Sequence, residues 1–134
     1  MDTVNFYDRE RNLIMQFKGF HFKRDEILQI VTFKGIVNFD FFHLETDFEA
    51  EEYDFKNFLS SLEKMHKREQ RYITFNPLSG KIIIKLSEEM GQINVHVEIY
   101  NSLSSCKLEF KYCIDQSFIP DLVKDIDAIM KDNL

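Results

Sequence analysis

"VNFDFFHLETDFEAE" (residues 37–51) runs almost directly into "YDFKNFLSSLEKMHKRE" (53–69), and the hydrophobic period changes at the join. Before it, Val37, Phe39 and Phe41 alternate with polar residues. After a slip of one at Phe41-Phe42, the residues Phe42, Leu44, Thr46, Phe48 and Ala50 continue on even positions. A period of two marks a strand with one buried face. The slip predicts a β-bulge, which would return the apolar side to the core. Past the join, Phe55, Phe58, Leu59, Leu62, Met65 and His66 take the spacing of one helical face. Asp54 is the expected N-cap, with Lys64, Lys67 and Arg68 at the negative pole.

Strand signals extend on both sides of this unit. "NLIMQFKGFHF" (12–22) changes phase at Gly19, where a bulge or bend is expected. "EILQIVTFKGIV" (26–37) is apolar on both faces, so it reads as a strand covered on both sides that ends or bends at Gly35. Downstream come "RYITF" (71–75), a turn at "LSG", "KIIIKL" (81–86), a turn at "EEMGQ", "INVHVEIY" (93–100), the loop "NSLSS" and "CKLEFKYCI" (106–114). Short turns at regular spacing predict an antiparallel meander. The chain closes on a helix, with Ser117 as N-cap and Pro120 in the first turn. Its apolar stripe is Ile119, Leu122, Val123, Ile126, Ile129 and Met130. No internal repeat is visible.

The fold class is therefore α+β. It is a mostly antiparallel sheet of about six to seven strands, with one helix between two β segments and a C-terminal helix packed on the sheet. The 134 residues make one domain, 1–134, with few long loops expected from four Gly and two Pro.

The charge is local. Asp40, Glu45, Asp47, Glu49, Glu51, Glu52 and Asp54 lie between Lys34 and Lys56 with no basic residue among them. That segment carries −7 of a net −6, so the remainder is close to neutral at +1. Direct nucleic-acid binding is not expected, since phosphate contacts need clustered Lys and Arg. The N-terminus lacks a basic start followed by an apolar run, and no window approaches the length of a membrane span, so a soluble cytoplasmic protein is expected.

Few residues invite chemistry. His21, His43, His66 and His96 are scattered without ligand spacing, so no metal site is expected. The acidic stretch lacks the glycine-turned loop of a Ca²⁺ site. Cys106 and Cys113 differ in parity on one predicted strand, so they face apart, and neither has an evident His partner. No Gly-rich phosphate loop is present. No catalytic residue and no cofactor are expected, and the chain reads as not an enzyme.

The acidic row is the remaining feature. A wet strand face, or charges guarding a sheet edge, would account for it without a function. A docking surface for a basic partner is the functional reading, because charge complementarity speeds encounter and sets register. Carboxylates on alternate residues stand about 7 Å apart, close to the interval between phosphates, so a protein that holds nucleic acid fits them. The residues chosen are Glu45, Asp47, Glu49, Glu51, Glu52 and Asp54, with Tyr53 as an anchor. Phe41, Phe42 and Phe55 flank them.

The order of "FHLETDFEAEEYDFKNFLSSLEKM", "RYITFNPLSGKIIIKL", "INVHVEIYN" and "CKLEFKYCIDQSFIPDLVKDIDAIM" resembles WapI-type immunity proteins, over residues 13 to 130. The resemblance implies a small cytoplasmic bacterial protein that binds and neutralises the toxin domain of a polymorphic, contact-dependent growth-inhibition system. It transfers no catalytic residue. Many such toxins are nucleases, which agrees with an acidic inhibitor. The partner is thus a cognate toxin domain, with no membrane and no direct nucleic acid, and the chain is a monomer or weak dimer. The alternative is a small-ligand-binding α+β domain with a Phe-lined cavity. An enzyme using His and carboxylates gathered in space is a third reading.

Overall fold

A computed structural model describes residues 2–25, 27–77, 80–101 and 105–132. The expected turn at Leu78-Ser79 and the centre of the loop at 102–104 lie outside these residues. Two four-stranded antiparallel meanders follow one another, and each ends in a helix. The first is β1 (Val4–Tyr7), β2 (Leu13–Arg24), β3 (Gln29–Phe39) and β4 (Phe42–Glu51), then α1 (Glu52–His66). The second is β5 (Tyr72–Phe75), β6 (Ile82–Glu89), β7 (Gln92–Tyr100) and β8 (Lys107–Asp115). A 3-10 turn (Gln116–Phe118) leads from it into α2 (Ile119–Asp132). In each sheet the spatial order of strands is the chain order.

The α+β class and both helices stand as read, but there are two sheets of four strands rather than one of six or seven. The added strand is β1, four residues long, with Val4 and Phe6 buried and Asn5 and Tyr7 half-buried. A single buried pair is too short a pattern to separate from a loop by period alone.

The phase slip at Phe41-Phe42 is a hairpin turn, not a bulge. β3 and β4 pair without interruption from Ile30↔Glu51 to Phe39↔Phe42, so Asp40 and Phe41 form a two-residue connection. Asp40 takes φ +57°, a left-handed conformation that Asp tolerates better than most residues. Both a bulge and a two-residue turn restore the apolar phase, which is why alternation alone cannot distinguish them. A bulge does occur at Gly19, between the pairs Lys18↔Lys34 and His21↔Thr32, with Gly19 at φ +66°.

Gly35 neither ends nor bends β3. A Cβ built there would lie 2.3 Å from the Phe48 ring, so the ring packs over bare backbone. β3 is also not covered on both faces: Val31, Phe33 and Val37 are buried, whereas Thr32 and Lys34 are exposed.

Aromatic rings join the two halves. Phe55 of α1 lies 5.4 Å from Phe33 in the first sheet and 5.3 Å from Phe75 in the second. Phe39 stacks on Phe110 at 4.9 Å. One continuous core therefore receives both sheets and both helices, and all of the fourteen Phe except Phe41 and Phe42 pack in or against it. α2 adds Ile119, Leu122, Ile126, Ile129 and Met130 to it. It is tied to β1 by the Asn5 N–H, which donates to Asp125 Oδ2 at 3.0 Å.

Both caps lie N-terminal to the residues read from the sequence, by three positions in α1 and by two before α2. Glu51 is the N-cap of α1, and Asp54 is its third residue, accepting the Glu51 N–H at 2.8 Å. This is half of a capping box. Asp115, not Ser117, caps the final helical segment by accepting the Ser117 N–H at 2.8 Å. The Ser117 hydroxyl, which also donates to Asp115 Oδ1, and the Ser117 N–H hold the Asp115 carboxyl below its usual range.

Candidate partner-binding surface

β4 is the rim strand of the first sheet. Phe48 and Ala50 point into the core, and Glu45, Asp47 and Glu49 are exposed on the opposite face, with Glu51 half-buried at the end of the strand. The row predicted from alternation is thus a physical row, about 7 Å between neighbours. Its last two members go elsewhere. Glu52 is 4% exposed, and its Oε1 accepts from Arg24 Nε and Nη2, each at 2.5 Å. Asp54 is engaged in the helix cap. The outward row is therefore Glu45, Asp47 and Glu49, with Glu51, half-buried and part of the α1 capping box, at its end. Glu52 clips the end of β2 to the start of α1, and Arg24 lies 5.2 Å over the Phe22 ring.

Exposed apolar side chains bracket the row. At its start, Phe41 and Phe42 are 83% and 45% exposed and stack on each other at 4.6 Å. Beyond its end, Tyr53 is 65% exposed, and Ile27 and Leu28 are exposed beside it; with Gln29 and Glu51 these line a shallow hollow. Phe55, the other flanking aromatic, belongs to the core. The sequence places Ile27 and Leu28 in a strand covered on both sides, but β3 begins only at Gln29 and both are exposed. Only antiparallel pairing brings that end of β3 beside the end of β4.

Relief from across the sheet was also hidden. Lys34 stands opposite Asp47, and Lys18 stands opposite Lys34 on the next strand. The outer face of the first sheet is acidic at its rim and basic inside it.

The second sheet carries one polar cluster of its own. His96 Nε2 lies 2.6 Å from Glu109 Oε2 and 3.6 Å from Glu98 Oε1, and Lys107 Nζ is 3.7 Å from Glu109. The Tyr100 hydroxyl donates to Glu98 at 2.5 Å. The His96 hydrogen bond, reinforced by nearby lysines, lowers the Glu109 carboxyl below its usual range. These side chains meet across β7 and β8, so the linear spacing of histidines gave no sign of them. The acids and bases there are largely paired with one another.

The interior leaves little room for a small ligand. The enclosed cavity between β1, β8 and the start of α2 holds about 20 Å³, room for roughly one water. A ligand pocket needs several hundred Å³. Both thiols are free, with Cys106 exposed and Cys113 donating to Asn94 Oδ1 at 3.1 Å. Among the described residues no helix is long and apolar enough to cross a membrane.

The first sheet thus presents an acidic rim strand with exposed aromatics at both ends. The family model described as "Immunity protein WapI-like family" matches residues 6–133. The chain belongs to the WapI-like immunity protein family. Its role is therefore that of an immunity protein, and such a protein acts by binding a toxin. No curated protein matches this WapI-like chain. Among solved structures, that of the plant transcriptional regulator PBF-2 is similar, with a TM-score of 0.44 and 7% identity, over 96% of this chain and 78% of the other.

Proposed function

We propose that this WapI-like immunity protein neutralises a basic toxin domain of nuclease type by stoichiometric binding, with the rim of its first sheet as the docking surface. Glu45, Asp47, Glu49 and Glu51 steer and register the toxin's basic residues, while Tyr53 and the Phe41-Phe42 pair anchor it. Glu52 and Asp54 serve the same surface indirectly, by fixing the start of α1 behind it. The carrying observation is the outward carboxylate row with exposed apolar groups at both ends. Charge alone gives speed, and buried aromatic anchors give residence time. The inhibitor acts in the cytoplasm, without turnover and without a cofactor.

The test is binding of the toxin domain encoded immediately upstream, carrying an inactivating substitution, to the whole chain. Asp47→Lys with Glu49→Lys should weaken binding by about 100-fold, because like charges then face each other across the interface. The association rate of the unmodified pair should fall with salt. An unchanged affinity in the double variant would remove the acidic row from the function.

A further inference from the structure

We propose that the outer face of the first sheet is a two-charge docking surface. The β4 carboxylates take basic residues of the toxin, while Lys18 and Lys34 together take a carboxylate of the same toxin. The inference rests on the docking assignment above and specifies the chemistry of the partner.

Lys18 and Lys34 are direct cross-strand neighbours on β2 and β3. Both point outward, since Phe17, Phe33 and Gly35 beside them point into the core. Like charges placed opposite each other in a sheet repel. Immediately after Lys18 the strand bulges at Gly19, and the pairing resumes at His21↔Thr32. The result is an open hollow of about 420 Å³ lined by Lys18, Gly19, Thr32, Lys34 and Asp47. A carboxylate entering it meets two ammonium groups and the Thr32 side chain. Seated between the two lysines, it adds to the partial compensation that Asp47 already gives Lys34 from β4.

The placement also restricts where a basic strip can lie. Lys34 faces Asp47 across β3 and β4, so the change of sign occurs within one strand spacing, about 4.8 Å. A row of Lys or Arg seated on β4 that slid inward would meet Lys34 and Lys18. Repulsion there confines it to the rim and fixes which side of the toxin faces the helix end. Affinity for basic surfaces in general is thereby exchanged for selectivity toward one.

The deciding variant is Lys18→Glu with Lys34→Glu, assayed by calorimetry against the same inactivated toxin domain, with circular dichroism on each variant. It makes the face more acidic. If a carboxylate of the toxin sits between the lysines, affinity drops at least about tenfold, and the Lys18→Gln, Lys34→Gln variant loses less. Unchanged or tighter binding by the glutamate variant, with Asp47→Lys and Glu49→Lys still weakening it, would overturn the two-charge surface and leave the acidic rim standing. Unchanged binding by Asp47→Lys and Glu49→Lys would remove the docking assignment itself, and this inference with it.

Discussion

The two sheets share one plan, four meandering strands and then a helix, yet they arrange charge in opposite ways. On the outer face of the second, acid and base alternate over β7 and β8, and His96, Glu98, Glu109 and Lys107 find one another. On the first, acids gather on β4 and lysines on β2 and β3. Self-satisfied charge belongs to a surface that ends at water. Under the docking assignment proposed above, a partner of complementary charge pattern would complete the first face, whereas the second is already largely paired.

The same contrast extends to the backbone, where the largest effect is expected. Gly35→Ala would push a methyl into the Phe48 ring, an overpacking that should cost about 1–3 kcal/mol in urea unfolding. Gly91→Ala, in the β6–β7 turn, meets open space at φ +83° and should cost only about 1 kcal/mol, from the left-handed backbone. Equal losses would mean that Phe48 can move away from β3. Next comes Arg24→Met, which leaves the Glu52 carboxylate buried without its partner. Thermal unfolding should report about 1–3 kcal/mol lost, because Arg24 is partly wet and the pair partly screened. Among the described residues of the second sheet no comparable buried ion pair is found.

The hairpin tips sharpen the functional side of the comparison. Phe41→Ser with Phe42→Ser should weaken toxin binding by about tenfold with stability unchanged. Met90→Ser, at the fully exposed tip of the second sheet, should change neither. The smallest effect is Glu109→Gln. The folded-state carboxyl lies below its usual range because of His96. Its contribution is therefore present above the ordinary carboxylate pKa and lost as pH falls through the folded value. The variant should be slightly less stable than the parent at neutral pH and equal to it in strong acid, read by unfolding curves across pH.

What could be read in advance follows from what is local. Alternation along β4 placed Glu45, Asp47 and Glu49 on one face, and the spacing of Phe55, Phe58, Leu62 and Met65 gave α1, because both signals repeat within a few residues. Gly19 marked its bulge for the same reason. Lys34 opposite Asp47, Ile27 near Tyr53, and His96 against Glu109 all depend on which residues pair across strands. That pairing is set by register between segments and leaves no local trace. Glu52 was misplaced in the row because residue 52 is where strand becomes helix, and the direction of its side chain turns inward there. The Phe41-Phe42 slip was legible as an event, but its kind depended on the backbone of Asp40.

That turn has a consequence for the protein while it waits. Phe41 and Phe42 lie against each other at 4.6 Å, so each ring shades part of the other from water before any toxin arrives. An inhibitor kept in reserve has to stay dispersed at high concentration. Folding its stickiest hydrocarbon onto itself lowers the apolar area open to another copy, and the carboxylates beside it keep the copies apart. Stacking thus shields part of each ring while Phe41 still presents most of its surface to solvent.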